Sequence, residues 1–395
     1  MNRNRMNKKR MGRARVLSRA AAGMLAAALC FQPMTALAGP AGDSSLTSSS
    51  SNAGPGGGSG SSNSGSTGSS GGSTSVSNGG VSAVTSGLGV YRVTENEGIG
   101  AIARGVDVSY WQQNVNWSQV ASDNVQFAML ATRFRGNVDP FFAMNAANAS
   151  QAGLRLGAYI YSYATSVEMA QQEADFVLNL IKDYPISFPV VFDAEDANTL
   201  GTLTQSQVSD VINAFCKRIQ DAGYYPMVYA NEYWIANKID MSKISYDIWV
   251  AKYQQKYTYS KTSMWQASNT GSVKGVNGNV DIDYLYKDYT QIIPGNTWRT
   301  IAGNRYYYQN HVMQKSAWIN DGQNWYYMNA AGNPSKGWLE LSGKKYYLEA
   351  DGHMITGWKT LDGGWRYFDA SGEQATGWRA VDGSWYFMAD HGVMQ

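Results

Sequence analysis

The chain has 395 residues, a formal net charge of +2, 16% charged and 13% aromatic residues, and only 2 Cys and 3 His. Two cysteines exclude a disulfide scaffold and a Cys-rich zinc site. All three histidines (His311, His353, His391) lie at or beyond residue 311, which excludes a Ser-His-Asp triad, a Cys-His pair and a His-ligated metal upstream of them.

The first 19 residues carry Arg3, Arg5, Lys8, Lys9, Arg10, Arg13, Arg15 and Arg19 and no acid; an apolar stretch over 20–31 follows, then Ala36 and Ala38 in small-residue cleavage positions. This pattern predicts a secretory signal peptide over 1–38 rather than a nucleic-acid-binding arm. The apolar stretch is too short to cross a bilayer, no run of 18 apolar residues exists elsewhere, and Leu29 before Cys30 does not fit a lipoprotein anchor. Removal of 1–38 leaves 24 basic residues against 30 acids, a net −6, and a single cysteine, Cys216. The mature protein is therefore expected to be secreted, without an internal disulfide, and without a footprint for polyanions. Residues 39–99 follow as a Ser/Gly-rich linker. It has 18 Ser and 15 Gly between Gly39 and Gly89 but one charge, Asp43, and is expected to be disordered.

From 100 to 290 strand-like and helical patterns alternate. "RGVDVS" (104–109), "FAMLAT" (127–132), "LGAYIYSYA" (156–164), "FPVVFDAE" (188–195), "PMVYAN" (226–231), "DIWVAKY" (247–253), "SMWQAS" (263–268) and "NVDIDYLY" (279–286) read as eight strands; 145–153, 167–182 and 204–222 read as helices. Alternation predicts a parallel sheet, and eight strands predict a barrel with a helix-poor second half. Cys216 falls among Val208, Val211, Ile212, Phe215 and Ile219, the core face of the third helix.

Chemistry in such a barrel sits at the strand ends. Asp107 lies late in the first strand, Asp193 and Glu195 end the fourth, and Asp281 and Asp283 lie in the last. Positions i and i+2 of a strand share a face at roughly 6–7 Å, so Asp193 and Glu195 can address one substrate. Clustered carboxylates raise one another's pKa and keep one protonated, as a general acid for glycoside hydrolysis requires. Asp196 reads as a solvated or capping residue. Clustered carboxylates also suit Mg²⁺ or Ca²⁺, but Tyr110, Trp111, Tyr161, Tyr163, Tyr229 and Trp265 at or just past strand ends favour a sugar, so no metal and no cofactor is expected.

"GVDVSYWQ", "DPFFAMNAANASQAGLRLGAYIYSYA", "FPVVFDAED", "PMVYAN", "MWQAS" and "VNGNVDIDYLY", in this order over about 103–287, resemble glycoside hydrolase family 25 lysozymes. The resemblance implies an irregular β/α barrel with eight strands and fewer helices. It also implies cleavage of the β-1,4 bond from N-acetylmuramic acid to N-acetylglucosamine in peptidoglycan. Glu195 is then the general acid/base, and Asp193 stabilises developing positive charge or orients the substrate N-acetyl group. Asp107 and Asp281 complete the cluster, and Tyr110, Tyr161, Tyr163, Tyr229 and Trp265 contact the substrate. Retention through the substrate acetamide and inversion both remain open. The arginine expected before "AT" is absent; Leu130 precedes it, Arg133 follows, and neither Arg133 nor Arg135 is assigned a role.

Over 296–395, Trp298, Trp318, Trp338, Trp358 and Trp378 recur every 20 residues, with aromatics at +8 or +9 and Gly332, Gly352, Gly372 and Gly392 at +14. A fixed period of this length predicts stacked β-hairpins, one per unit. At +7 stand Trp325, Trp365 and Trp385, but Arg305 and Lys345 in units one and three. The units resemble choline-binding or cell-wall-binding repeats, in which grooves between hairpins hold a choline methylammonium by cation–π attraction. An Arg or Lys head would repel that cation, so cages are expected at Trp318/Trp325 and Trp358/Trp365, completed by Tyr347 and Phe387 of the following units. Trp378 and Trp385 have no following unit and are expected to be capped or to pair with another chain.

The whole reads as a secreted, wall-associated peptidoglycan hydrolase whose repeats hold choline-substituted teichoic acid or another glycan. The alternatives are a non-catalytic wall-binding protein or adhesin with an inactive barrel, which the intact carboxylates oppose, and a chitinase-like N-acetylglucosaminidase, whose longer D-x-x-D-x-D-x-E run is missing.

Overall fold

The computed structural model describes residues 75–78 and 81–395. The expected signal peptide and most of the Ser/Gly-rich linker lie outside them. No helix among the described residues is long and apolar enough to cross a membrane.

The linker expectation fails at its end. Ser75–Asn78 (β1), Val81–Ser86 (β2) and Gly89–Val93 (β3) form an antiparallel meander. Apolar residues return from Val81 onward, and Tyr91 is almost fully buried in the main core. The Arg92 backbone exchanges hydrogen bonds with the Asn124 side chain at 3.0 and 2.6 Å. Averaging composition over 39–99 hides these few anchoring side chains.

Eight strands close the barrel. They are Ala103–Val108 (β4) and Phe127–Ala131 (β5), then, beyond a short rim hairpin of Arg133–Phe134 (β6) and Asn137–Val138 (β7), Arg155–Tyr161 (β8), Ile186–Asp193 (β9), Pro226–Asn231 (β10), Asp247–Ala251 (β11), Thr262–Gly271 (β12) and Val280–Leu285 (β13). All eight coincide with the expected runs. The helices are fewer: Trp117–Ser122 (α1), Phe142–Gln151 (α2), Val167–Ile181 (α3), Gln205–Asp221 (α4) and Glu232–Asn237 (α5). α3 starts at a Ser166 cap and α4 at a Thr204/Gln207 capping box. Cys216 is fully buried on the inner face of α4, and burial pushes its thiol pKa up, so it is a core residue.

The sequence predicts a parallel sheet, but the barrel departs from this at its last strand. β13 pairs antiparallel with both β12 and β4. Only residues 272–279 separate β12 from β13, too few for the crossover a parallel strand needs. The mouth formed by the C-terminal ends of the other strands therefore meets the N-terminal half of β13. This places Asp281 opposite Asp107, with Asp283 one step deeper, opposite Gly105.

Strand alternation divides the barrel into layers. Ala103, Phe127, Met129, Phe188, Met227, Met264 and Leu285 fill the interior. The next inward positions along several strands toward the mouth are polar: Asp107 after Ala103 and Gly105, Tyr229 after Met227, Gln266 after Met264, and Asp283 and Asp281 before Leu285. The apolar floor thus carries a polar layer that cannot sink.

Five hairpins follow: Thr297–Ile301 with Asn304–Gln309, Ala317–Asn320 with Trp325–Met328, Gly337–Leu341 with Lys344–Leu348, Gly357–Leu361 with Gly364–Phe368, and Gly377–Val381 with Ser384–Met388. The first docks on the barrel through buried Arg299. Its guanidinium lies between the Tyr224 and Tyr308 rings, 3.9 and 4.3 Å from their centroids, and Tyr308 donates to the Lys182 carbonyl at 2.8 Å, beyond α3. The +14 glycines serve the stacking. Gly372 has φ +81°, and a Cβ there would lie 2.2 Å from Met354 Sδ of the preceding unit. Gly372→Ala is expected to destabilise the stack by roughly 2 kcal/mol, read as a lower melting temperature; an unchanged melting temperature would refute this packing role.

Candidate active site

A cavity of about 490 Å³ opens at the mouth of the barrel. Asp107, Asp193, Glu195 and Asp281 line it together, with Tyr161, Tyr163 and Tyr229. Each acid arrives by strand parity: Asp107 from β4, Asp193 as the last residue of β9, Glu195 two residues beyond, and Asp281 from β13.

The deep end is held by a hydrogen-bond chain. Gln266 Nε2 donates to Asp107 Oδ2 at 2.7 Å, while its Oε1 accepts from the Tyr229 and Tyr253 hydroxyls, both at 2.8 Å. Trp249 Nε1 donates to Asp283 Oδ1 at 3.0 Å. Burial, then Asp281 and Asp283, drives the Asp107 pKa well up, and burial with Asp281 does the same to Asp283. Each of these two buried carboxyls thus holds its proton more tightly than a free aspartic acid does.

Asp193 is buried and its pKa is raised by burial, then by Glu195 and Asp196. Its Oδ1 has no hydrogen-bond partner within the described residues. An unpartnered buried oxygen on a cavity wall is open to a ligand donor. Glu195 is only half-buried, and its pKa is raised by burial, then by Asp281 and Asp196. Burial pushes Asp281 up to about 6. Asp196 behaves differently. Although burial opposes it, hydrogen bonds from Thr199, Asn198 and Tyr161 lower its pKa, and it caps the loop after β9.

Since Asp281 heads the charges acting on Glu195, Asp281→Asn should lower the Glu195 pKa. The alkaline limb of the activity profile then moves to lower pH. Below pH about 6, where Asp281 is itself neutral, the two enzymes should converge. A limb that stays in place would show that Asp281 does not tune Glu195.

Two expected contacts fall outside the cavity. Trp265 points outward from β12, its indole donating to the Lys252 carbonyl at 2.9 Å and packing on Tyr257 and Tyr284. Its neighbour Gln266 has the inward parity. Tyr110 lies beneath the rim, stacked on Phe134 at 4.0 Å, and Trp111 lines the cavity instead. Missed by the sequence reading were Tyr159, Trp249, Tyr253 and Gln266, although parity with Tyr161, Ala251 and Met264 carries each of them.

The repeat grooves depart from expectation in one register. Within each hairpin the +9 residue pairs with its own Trp, as Trp338 with Tyr347 and Trp378 with Phe387, both at 5.3 Å. The +8 residue therefore faces the preceding unit. Trp318 meets Tyr346 at 5.0 Å and Trp358 meets Tyr386 at 4.8 Å, so Tyr347 and Phe387 do not complete the cages. Trp358, Trp365, Tyr386 and Met394 enclose about 300 Å³. The Met394 amide bonds the Trp365 carbonyl, and Met354 repeats this with Trp325. The other two grooves hold their own cations. The Arg305 guanidinium lies 4.1 Å from the Trp298 ring and that of Arg366 5.0 Å from Trp338. Trp378, Trp385 and Phe387 remain exposed on the last hairpin.

The model of glycosyl hydrolases family 25 matches residues 106–276, which takes in Asp107, Asp193 and Glu195 and stops short of β13. The chain is 31% identical over 189 residues to the uncharacterized protein YegX of Escherichia coli (strain K12), covering 45% of this chain and 68% of that one.

The chain belongs to glycosyl hydrolases family 25.

This family 25 chain is also 30% identical over 195 residues to Lysozyme M1 of Streptomyces globisporus, covering 45% of this chain and 66% of that one. Among solved structures it is similar to the bacterial lysozyme from Streptomyces coelicolor, with 25% identity, 48% of this chain and 95% of that one covered, and a TM-score of 0.40. Models described as choline-binding repeat match 335–374 and 355–395, and one described as cell wall binding repeat matches 316–333. The family 25 barrel is thus joined to wall-binding hairpins on one chain.

Proposed function

We propose that this chain is an exported lysozyme, with 1–38 as signal peptide, a tether ending before β1, the barrel as muramidase and the hairpins as wall anchor. The glycan strand lies across the barrel mouth. Glu195, whose hold on its proton is strengthened by burial and by Asp281, gives that proton to the glycosidic oxygen between N-acetylmuramic acid and N-acetylglucosamine as the C1–O bond breaks. The positive charge developing at C1 faces Asp193, whose free Oδ1 also accepts the N-acetyl N–H, and water, directly or after the substrate acetamide, supplies the new C1–O bond while its proton passes to a carboxylate of the site. Asp107, Asp281 and Asp283 keep the site's proton affinity high. The observation that carries the reading is a half-buried glutamate of raised pKa two residues beyond a buried aspartate with an unpartnered oxygen, in one cavity. The lysozyme names of relatives support the substrate class.

The open Trp/Trp/Tyr/Met grooves take a quaternary ammonium, as on choline-substituted teichoic acid. Arg305 and Arg366 leave the alternate grooves without a vacant cation site. Release of new reducing ends from purified peptidoglycan tests the enzymatic half of this proposal; intact glycan after incubation would overturn it.

A further inference from the structure

The rim hairpin β6–β7 is built as a rigid support. Arg133 is locked by Glu173 of α3 at 2.5 Å, and Glu173 is fixed in turn by the Ser162 hydroxyl at 2.6 Å and the Tyr163 amide at 3.0 Å. Phe134 stacks on Tyr110 and meets Trp111 edge-on at 5.7 Å. The turn between the strands is the pair Arg135–Gly136, with φ of +49° and +83°. Both signs positive in a two-residue hairpin loop define a type I′ turn, which favours Asn, Asp or Gly at its first position. The equivalent turns of the repeats carry Asp at two of these positions (Asp362, Asp382) and the short side chains of Ala302 and Ser342 at the others, none of them long or cationic. A long cationic side chain there is unfavourable for the turn itself.

Arg135 is exposed, lines the cavity, and makes no ion pair among the described residues; its guanidinium lies 5.0 Å from the Phe134 ring. The same cavity carries four carboxylates. Whichever of them are ionised repel an anionic substrate, and an unpaired guanidinium on a fixed rim offsets that repulsion where a substituent leaves the cleft.

We propose that Arg135, presented on the β6–β7 turn, forms an anion subsite for a carboxylate carried by a peptide substituent of the glycan strand. This rests on the lysozyme reading. A fork-shaped guanidinium binds a carboxylate with geometry that an ammonium lacks.

The test compares wild type, Arg135→Asn and Arg135→Lys on two substrates. Both are glycan strands freed of phosphate polymers by hydrofluoric acid; one keeps its peptides and the other has been stripped of them by an amidase, with the lactyl carboxylates this exposes capped as methylamides. Wild type should prefer peptide-bearing strands by about tenfold in kcat/KM, chiefly through KM. Arg135→Asn should collapse the preference to about one, with Arg135→Lys between. Salt at 0.5 M should shrink the wild-type preference as well. Because Asn suits a type I′ turn, the melting temperature of Arg135→Asn should be equal or higher, which separates the effect from misfolding. A preference that survives in Arg135→Asn, or an equal loss on both substrates, would overturn the subsite. Wild type releasing no reducing ends from either strand would instead overturn the lysozyme reading and the subsite with it.

Discussion

Glu195→Gln is expected to abolish glycan cleavage, lowering kcat by about 10²–10⁴-fold while KM moves little. Gln keeps the shape and hydrogen-bonding reach of the side chain but has no proton to give the leaving oxygen. The fold should not suffer. The folded-state pKa of Glu195 is raised above 4.5, so its ionised form costs stability at higher pH. Gln therefore leaves the melting temperature at neutral pH equal or slightly higher, and the gain fades as pH falls to 4.5 and below. Near-wild-type turnover in this variant would remove Glu195 from the proton-transfer role.

The second large effect concerns anchoring. Trp325 and Trp365 are 48% and 51% exposed, so replacing them removes cage walls at little packing cost. The wild-type protein should be retained on an immobilised quaternary amine and eluted by free choline. Trp325→Ala or Trp365→Ala alone should weaken retention, and the pair together should abolish it. Two cages on one rigid stack act multivalently, and losing the second forfeits a gain on the order of 10²–10⁴. Circular dichroism of the double variant checks that the hairpins persist. Retention of the folded double variant would place the amine elsewhere.

Much of this organisation is legible in the sequence because buried strands are short apolar runs closed by Asp, Gly or aromatic residues. All eight barrel strands follow from that signal, as do the acids that β4, β9 and β13 carry to the mouth. The direction of β13 was equally available from the eight residues before it, since no crossover fits in them. The errors are errors of parity. Trp265 and Gln266 are adjacent, and only the pleat decides that the glutamine rather than the tryptophan enters the cavity. Tyr347 and Phe387 likewise lie one residue from the side chains that complete the cages. α1 and α5, six residues each, are too short to establish a helical period. The roles of Arg305 and Arg366 go further than parity. Sequence marks Arg305 as an intruder among aromatics, but only the packed stack shows both guanidinium groups lying against tryptophan rings that would otherwise meet a ligand.

The central claim is the bond cleaved. Purified peptidoglycan digested with the full chain, reduced with borohydride and hydrolysed to its sugars should yield muramicitol, because cleavage after N-acetylmuramic acid leaves that sugar at the new reducing end. Glucosaminitol in its place would show a glucosaminidase, and neither product would show that the barrel does not hydrolyse the wall.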